Sequence, residues 1–224
     1  EYLQSNSLSP ISGILYDLGV SSHQINSSYR GFSYTLDDYL DMRMNQKDPI
    51  SVLQVVNEYS YEKLHNIFSN YGEERYSKKI AKILIDKRPI YKTKELTEII
   101  KIALPKQNPI FTEKSIRKVF QALRIYVNDE LNELEESLGK IKTVIKKNGV
   151  IVCISYHSLE DKIVKNFMKD LTLGCICEPS IAICVCSSEK HFKFANKKKF
   201  FPEEEEITKN SRAKSAILRY VIKL

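Results

Sequence analysis

An α/β fold is predicted, a mostly parallel sheet covered by helices and interrupted by a helical insertion. Three observations carry the prediction. Short apolar runs of strand length, Gly13–Leu18, Val150–Tyr156 and Ile217–Ile222, are rich in β-branched and aromatic residues. The long stretch between the first two is helical in its periodicity. The first two runs each lead into small hydroxyl residues, Ser21 and Ser22 after one and Ser158 after the other. Open α/β sheets bind ligands just beyond the carboxyl ends of their strands.

Residues 1–12 are polar and irregular, with Pro10 just before the first strand. A chain that opens on a strand of central-strand composition, with its ligand loop attached, is expected to have lost earlier strands. Asp17 ends that strand and Gly19 lets the backbone turn sharply. Asp17 is therefore either a ligand-facing acid or a cap for the next element. The loop that follows is long for a compact domain, and such loops are more often functional than idle.

Asp48-Pro49 marks a break, after which helices are expected near 50–58, 60–70, 74–87 and 93–103. In the third, Tyr76, Ile80, Ile83 and Leu84 form an apolar stripe, with Arg75, Lys78, Lys79 and Lys82 away from it. That basic exterior suits phosphate contacts or simply faces solvent. Pro89, Pro105 and Pro109 punctuate the helix ends. From 115 to 147 one continuous helix is predicted, its buried stripe running Val119, Leu123, Val127, Leu131, Leu134, Leu138, Ile141 and Ile145. Arg117, Gln121, Arg124 and Asn128 make a second stripe, lining a cleft or facing water. Asn148-Gly149 turns the chain into the second strand. Ser158 to Asp161 has capping-box spacing, and the next helix sets Leu159, Ile163, Phe167 and Leu171 on one face. His157, between strand and helix, is either a structural hydrogen-bonder or a group aimed into the cleft.

Lysine and arginine number 35 against 28 aspartates and glutamates, a net charge of +7 that favours a polyanionic partner without proving one. No apolar run approaches the ~18 residues of a membrane span, and residues 1–6 lack a signal peptide's pattern, so an intracellular protein with no membrane partner is expected. At 224 residues the chain can bury one good core plus an insertion. Cys153 sits alone in an apolar strand and reads as a small core residue. Cys175, Cys177, Cys184 and Cys186 form two Cys-x-Cys pairs, either zinc ligands or a surface loop that happens to carry cysteines. Beyond them, Lys197–Lys199 and the acidic run Glu203–Glu206 are expected to be exposed.

Several words in this chain resemble the RsmH (MraW) family of 16S rRNA cytosine-N(4) methyltransferases, whose pattern reads close to LLDLGVSSPQ, RGFSF and PLDMRMD. Here these appear as Ile14-Leu-Tyr-Asp-Leu-Gly-Val-Ser-Ser-His-Gln24, Arg30-Gly-Phe-Ser-Tyr34 and Tyr39-Leu-Asp-Met-Arg-Met-Asn45. Further matching blocks are Tyr71–Arg75, Phe120–Leu131, Ile154–Lys162 and Glu203–Ser215. Two departures stand out. His23 replaces the family's proline, and the glycine-rich cofactor loop would fall before residue 1; no G-x-G-x-x-G word occurs among the seven glycines.

The resemblance implies a class I, Rossmann-like methyltransferase sheet lacking its first strands, formed by residues 1–47 and 113–224, with residues 48–112 inserted for RNA recognition. It implies methyl transfer from S-adenosylmethionine to the exocyclic amine of a cytidine in small-subunit ribosomal RNA. The partner would be that RNA or an assembling 30S-type subunit, in a bacterial cytoplasm or a bacterial-type organelle; a homodimer is left open. Asp17 and Gln24 carry over as cofactor contacts, with activation of the amine by Asp17 a further hypothesis. Arg30, Phe32, Asp41 and Arg43 become candidates for the cytosine pocket, joined by Arg124, Asn128 and His157; the alternative for the loop residues is Arg–Asp cross-linking. Without the glycine-rich loop, these residues alone are expected to be inactive, the activity belonging to the complete gene product. Two other classes stay open: a non-catalytic RNA-binding or ribosome-assembly factor, and a zinc-dependent nucleic-acid module.

Overall fold

The structure, a computed structural model, describes residues 2–105, 108–174, 190–194 and 199–224. In chain order its elements are α1 (Tyr2–Ser5), β1 (Ile11–Asp17), α2 (Ser22–Asn26), α3 (Val52–Glu58), α4 (Tyr61–Asn70), α5 (Ser77–Asp86), α6 (Thr93–Ala103), α7 (Pro109–Val127), α8 (Glu130–Ile141), β2 (Ile145–Ser155), α9 (Ser158–Thr172), β3 (Phe192–Phe194), α10 (Glu204–Lys209) and β4 (Ile217–Lys223). They gather into two compact units, residues 1–19 with 131–224, and residues 20–130. The 48–112 segment read as an insertion lies inside the second unit, which extends beyond it on both sides.

The first unit is the α/β one. Its sheet runs in the order β1-β2-β4-β3. β1 pairs parallel to β2, and β4 lies antiparallel to both β2 and β3. Thus β1, β2 and β3 share one direction and β4 alone runs against them, a reversal that no periodicity in the sequence announces. Along β2 and β4 burial alternates, Ile151, Cys153 and Ser155 on one strand and Arg219 and Val221 on the other. That is the period-two pattern of a strand with one face packed. Leu134, Leu138 and Ile141 of α8 and Val164 and Met168 of α9 complete this core. β2 starts at Ile145, earlier than expected, because Asn148-Gly149 forms an irregularity within the β1–β2 ladder instead of a turn before it. Asn148 has a positive φ of 63° there.

α9 departs from expectation by one residue. His157, not Ser158, is its N-cap, so the buried face centres on Glu160, Val164 and Met168, with Ile163, Phe167 and Leu171 packed at its margin. Asp161, expected to close the cap, instead takes a two-point ion pair from Arg219 on β4, at 2.7 and 2.9 Å.

In the second unit α3 to α7 pack around a core that includes Val55, Leu64, Phe68, Ile80, Leu84, Leu96, Ile100 and Leu123. Each fully buried side chain of this size contributes roughly 1.5–3 kcal/mol by leaving water. The loop before α3 joins the same core through Leu40 and Met42, each 1% exposed. That explains why the unit reaches back past residue 48. The single helix expected over 115–147 is two. α7 stops at Val127, Asp129 adopts a left-handed φ of 48°, and α8 begins at Glu130. No helix among the described residues is long and apolar enough to cross a membrane.

Candidate functional site

β1 delivers Asp17 to the carboxyl end of the sheet, opposite Ile154 of the parallel strand β2. One residue later the ladder still holds, with Leu18 N donating to Ile154 O at 3.1 Å, and Gly19 then turns away at φ 85°. The Asp17 side chain is exposed. Its Oδ1 accepts a 3.0 Å hydrogen bond from the Tyr156 hydroxyl, and its second oxygen has no partner among the described residues. Tyr156 follows the last residue of β2. Burial, and then the hydrogen bond and negative charge of Asp17, push its phenol up to about 12, helped by Glu160 and Glu206. The phenol therefore stays protonated, a donor to Asp17 at any physiological pH.

His157 comes next and closes the start of α9. Its Nδ1 accepts from Glu160 N at 3.4 Å, while Glu160 Oε2 accepts from Tyr156 N at 2.8 Å and from His157 N at 3.4 Å. Nε2 lies 3.0 Å from Glu160 Oε1, a charge-pair distance without the alignment of a hydrogen bond. With its side chain only 9% exposed, His157 acts here as a helix cap.

The remaining candidates fall in the second unit. Gln24 turns its carboxamide oxygen back to Ser21 N at 2.8 Å, and Ser21 Oγ accepts from Gln24 N at 3.2 Å, a capping box on α2. In the following loop Arg43 grips Asp41 at two points, 2.7 and 3.1 Å, and donates to Asp48 O at 2.7 Å. Burial acts to raise the Asp41 carboxyl, but the hydrogen bonds and charge of Arg43 outweigh it and hold the group below its ordinary value. Arg30 donates to Arg43 O at 2.6 Å, and its guanidinium carbon sits 5.5 Å from the centre of the Phe32 ring. Gly31, at φ 71°, is where Tyr39–Asp41 crosses closest; a Cβ there would collide with Tyr39 O.

At the C-cap of α7, Asn128 staples this loop. Its Oδ1 accepts from Met44 N at 2.6 Å, and its Nδ2 donates to Met42 O and to Arg124 O, both at 2.8 Å. Arg124 makes a two-point ion pair with Glu130 at 2.7 and 2.9 Å. Gln121 reaches Tyr71 O at 3.5 Å, and Arg117 bonds Tyr34 and Glu113. The second stripe on α7 is thus turned onto protein groups. Gly72, in the Tyr71–Arg75 word, is another close approach, where a Cβ would lie 2.8 Å from Lys118 O of α7.

The structure therefore ties Arg30, Asp41 and Arg43 into one hydrogen-bonded loop pinned by Asn128, sets the Phe32 ring against the Arg30 guanidinium, holds Arg124 beside it, and leaves Gln24 on a separate turn. Sequence reasoning missed Tyr156, Glu160 and Glu130. The first had a usable signal, a hydroxyl side chain directly after a strand end and beside His157. Cys175, Cys177, Cys184 and Cys186, read as zinc ligands or a surface loop, lie outside the described residues. Cys153 is buried, and burial pushes its thiol up to about 12, which leaves it inert.

Residues 1–224, both units together, match the MraW methylase family. The chain belongs to this family. Among its relatives, the ribosomal RNA small subunit methyltransferase H of Caldicellulosiruptor saccharolyticus is 44% identical over 227 residues, covering 100% of this chain and 73% of the relative. The same-named protein of Fusobacterium nucleatum is 46% identical over 212 residues, covering 93% of this chain and 67% of its own length. That of Finegoldia magna is 43% identical over 226 residues, covering 99% and 72% respectively. Because the likeness to other MraW methylases runs through residues 20–130 as well, the helical unit is shared with them and is not an addition peculiar to this chain.

Proposed function

We propose that this MraW methylase acts on small-subunit ribosomal RNA, transferring a methyl group from S-adenosylmethionine to the exocyclic amine of a cytidine. The observation that supports it most is Asp17, an exposed carboxylate at the carboxyl end of a parallel strand with one oxygen still open to a donor. The relatives' names point to the RNA.

S-adenosylmethionine, when bound, supplies an electrophilic methyl group, and its hydroxyl and ammonium groups are donors that suit a carboxylate acceptor. Asp17 would take such a donor on its free oxygen, and Gln24 would add a second polar contact through its amide. Catalysis of this kind is chiefly positioning, since nitrogen and methyl must meet in line. A cytidine attacked at its amine has to leave its stack first. Phe32 offers a ring for the base, and Arg30, Asp41, Arg43, Arg124 and Asn128 serve in this reading to hold the loop that presents it. His157 keeps the start of α9 in place beside Tyr156. Residues 48–112 are proposed as a helical RNA-recognition insertion in a discontinuous methyltransferase domain, 1–47 and 113–224, with the exposed Arg75, Lys78, Lys79 and Lys82 facing phosphate. A bacterial cytoplasm fits this work.

Replacing Asp17 with alanine in the intact protein tests the reading. Methylation of small-subunit ribosomal RNA is expected to fall at least 100-fold, with the thermal unfolding midpoint unchanged because the side chain is exposed. Normal turnover by Asp17→Ala would remove Asp17 from the mechanism.

A further inference from the structure

We propose that Tyr156 is the positioning residue of the Asp17 carboxylate, fixing which oxygen is offered to the cofactor. This rests on the reading that Asp17 is a cofactor contact, and it goes beyond that reading by naming what sets the geometry.

A carboxylate on an exposed strand end turns freely about its two side-chain torsions, and a binding partner must first halt that motion. Asp17 has a single hydrogen-bonding partner among the described residues, the Tyr156 hydroxyl at 3.0 Å. A phenol that stays protonated can only donate to a carboxylate, so the bond has one polarity and occupies Oδ1 without competing for the proton. Tyr156 is itself held. Its main-chain N–H donates to Glu160 Oε2 at 2.8 Å, and Glu160, 3% exposed, is locked into the cap of α9 by its own N–H on His157 Nδ1. The chain of contacts runs from the first turn of α9, through Glu160 and Tyr156, to Asp17, all within the sheet unit. Its effect is to leave Oδ2 as the acceptor for an incoming hydroxyl or ammonium group. Phenylalanine would fill the same space and lose the tether, because the ring carries the packing and the oxygen alone carries the bond.

The experiment is a double-mutant cycle in the intact protein, using Tyr156→Phe, Asp17→Ala and the pair. Dissociation constants for S-adenosylmethionine and S-adenosylhomocysteine are measured by calorimetry, together with KM and kcat. Tyr156→Phe is expected to weaken binding of both about 5-fold and to raise the KM for S-adenosylmethionine equally, with kcat within about 2-fold. Thermal unfolding should be unchanged, which separates positioning from folding. In the Asp17→Ala background the same substitution should cost nothing, since no acceptor is left for the phenol to orient. An equal loss in both backgrounds would overturn the proposal, as would unchanged binding by Tyr156→Phe when Asp17→Ala binds poorly. Normal binding by Asp17→Ala would overturn the cofactor reading, and the positioning role with it, a different pattern from the other two.

Discussion

In the loop from Arg30 to Asp48, charged side chains meet each other and the main chain. Arg43 closes on Asp41 and on Asp48 O, Arg30 closes on Arg43 O, and Asn128 takes both Met42 O and Met44 N. At the end of β1 the arrangement is the reverse, one exposed carboxylate with one phenol and an oxygen to spare. Both regions lie in the family-like words of the sequence, and both contain acids that residue type alone would nominate for chemistry. What separates them is unused hydrogen-bonding capacity that a ligand can reach, since the loop's own unpaired atoms, Arg30 Nε and Asp38 Oδ2, are buried. A buried polar group with all its partners present is worth most as structure, because removing one partner strands the other. An exposed acceptor with a free lone pair can give binding energy to a ligand.

The largest effect is expected where the loop's path leaves no room. Gly31→Val forces a side chain onto Tyr39 O at a backbone φ of 71°. It should cost about 4 kcal/mol of stability, read as a drop in the urea midpoint. An unchanged midpoint would mean that the loop moves aside cheaply and is no rigid frame. Asn128→Ala comes next. It strands Met44 N–H and Met42 C=O inside the unit, at roughly 2 kcal/mol. Were Asn128 a substrate contact and not a staple, this variant would keep its stability and lose activity alone; chemical denaturation beside a methylation assay distinguishes the two.

The helices were legible and the staples were not, for one physical reason. α3, α4 and α6 fall within two residues of the 50–58, 60–70 and 93–103 expected, because amphipathic spacing is written locally. The break between α7 and α8 was hidden because the apolar stripe runs on from Val127 through Leu134, while the Asn128 side chain at the break bonds a residue 84 positions away. Asp17 could be found at a strand end, but its tether to Tyr156 spans 139 positions and exists only once β1 and β2 are paired. The cap of α9 slipped by one because an imidazole nitrogen did the work usually given to serine. β4 was legible as a strand over Ile217–Ile222, but its antiparallel direction had no local signature.

The same test of unused capacity applies to α5 and Arg75 just before it, and it gives the smallest effect on stability. Arg75, Lys79 and Lys82 are exposed, and among the described residues none has an ion pair or side-chain hydrogen bond, while Ile80, Ala81 and Leu84 fill the opposite face. Changing all three to glutamine should therefore move the unfolding free energy by no more than about 0.5 kcal/mol. It should act on RNA instead. If each contacts one phosphate, the slope of log affinity against log salt flattens by about 2, since single-stranded RNA releases roughly 0.7 counterion per contact. An unaltered slope would place the phosphate contacts elsewhere and return this face to solvent. A large loss of stability would show that these charges were already engaged within the fold, as the loop arginines are.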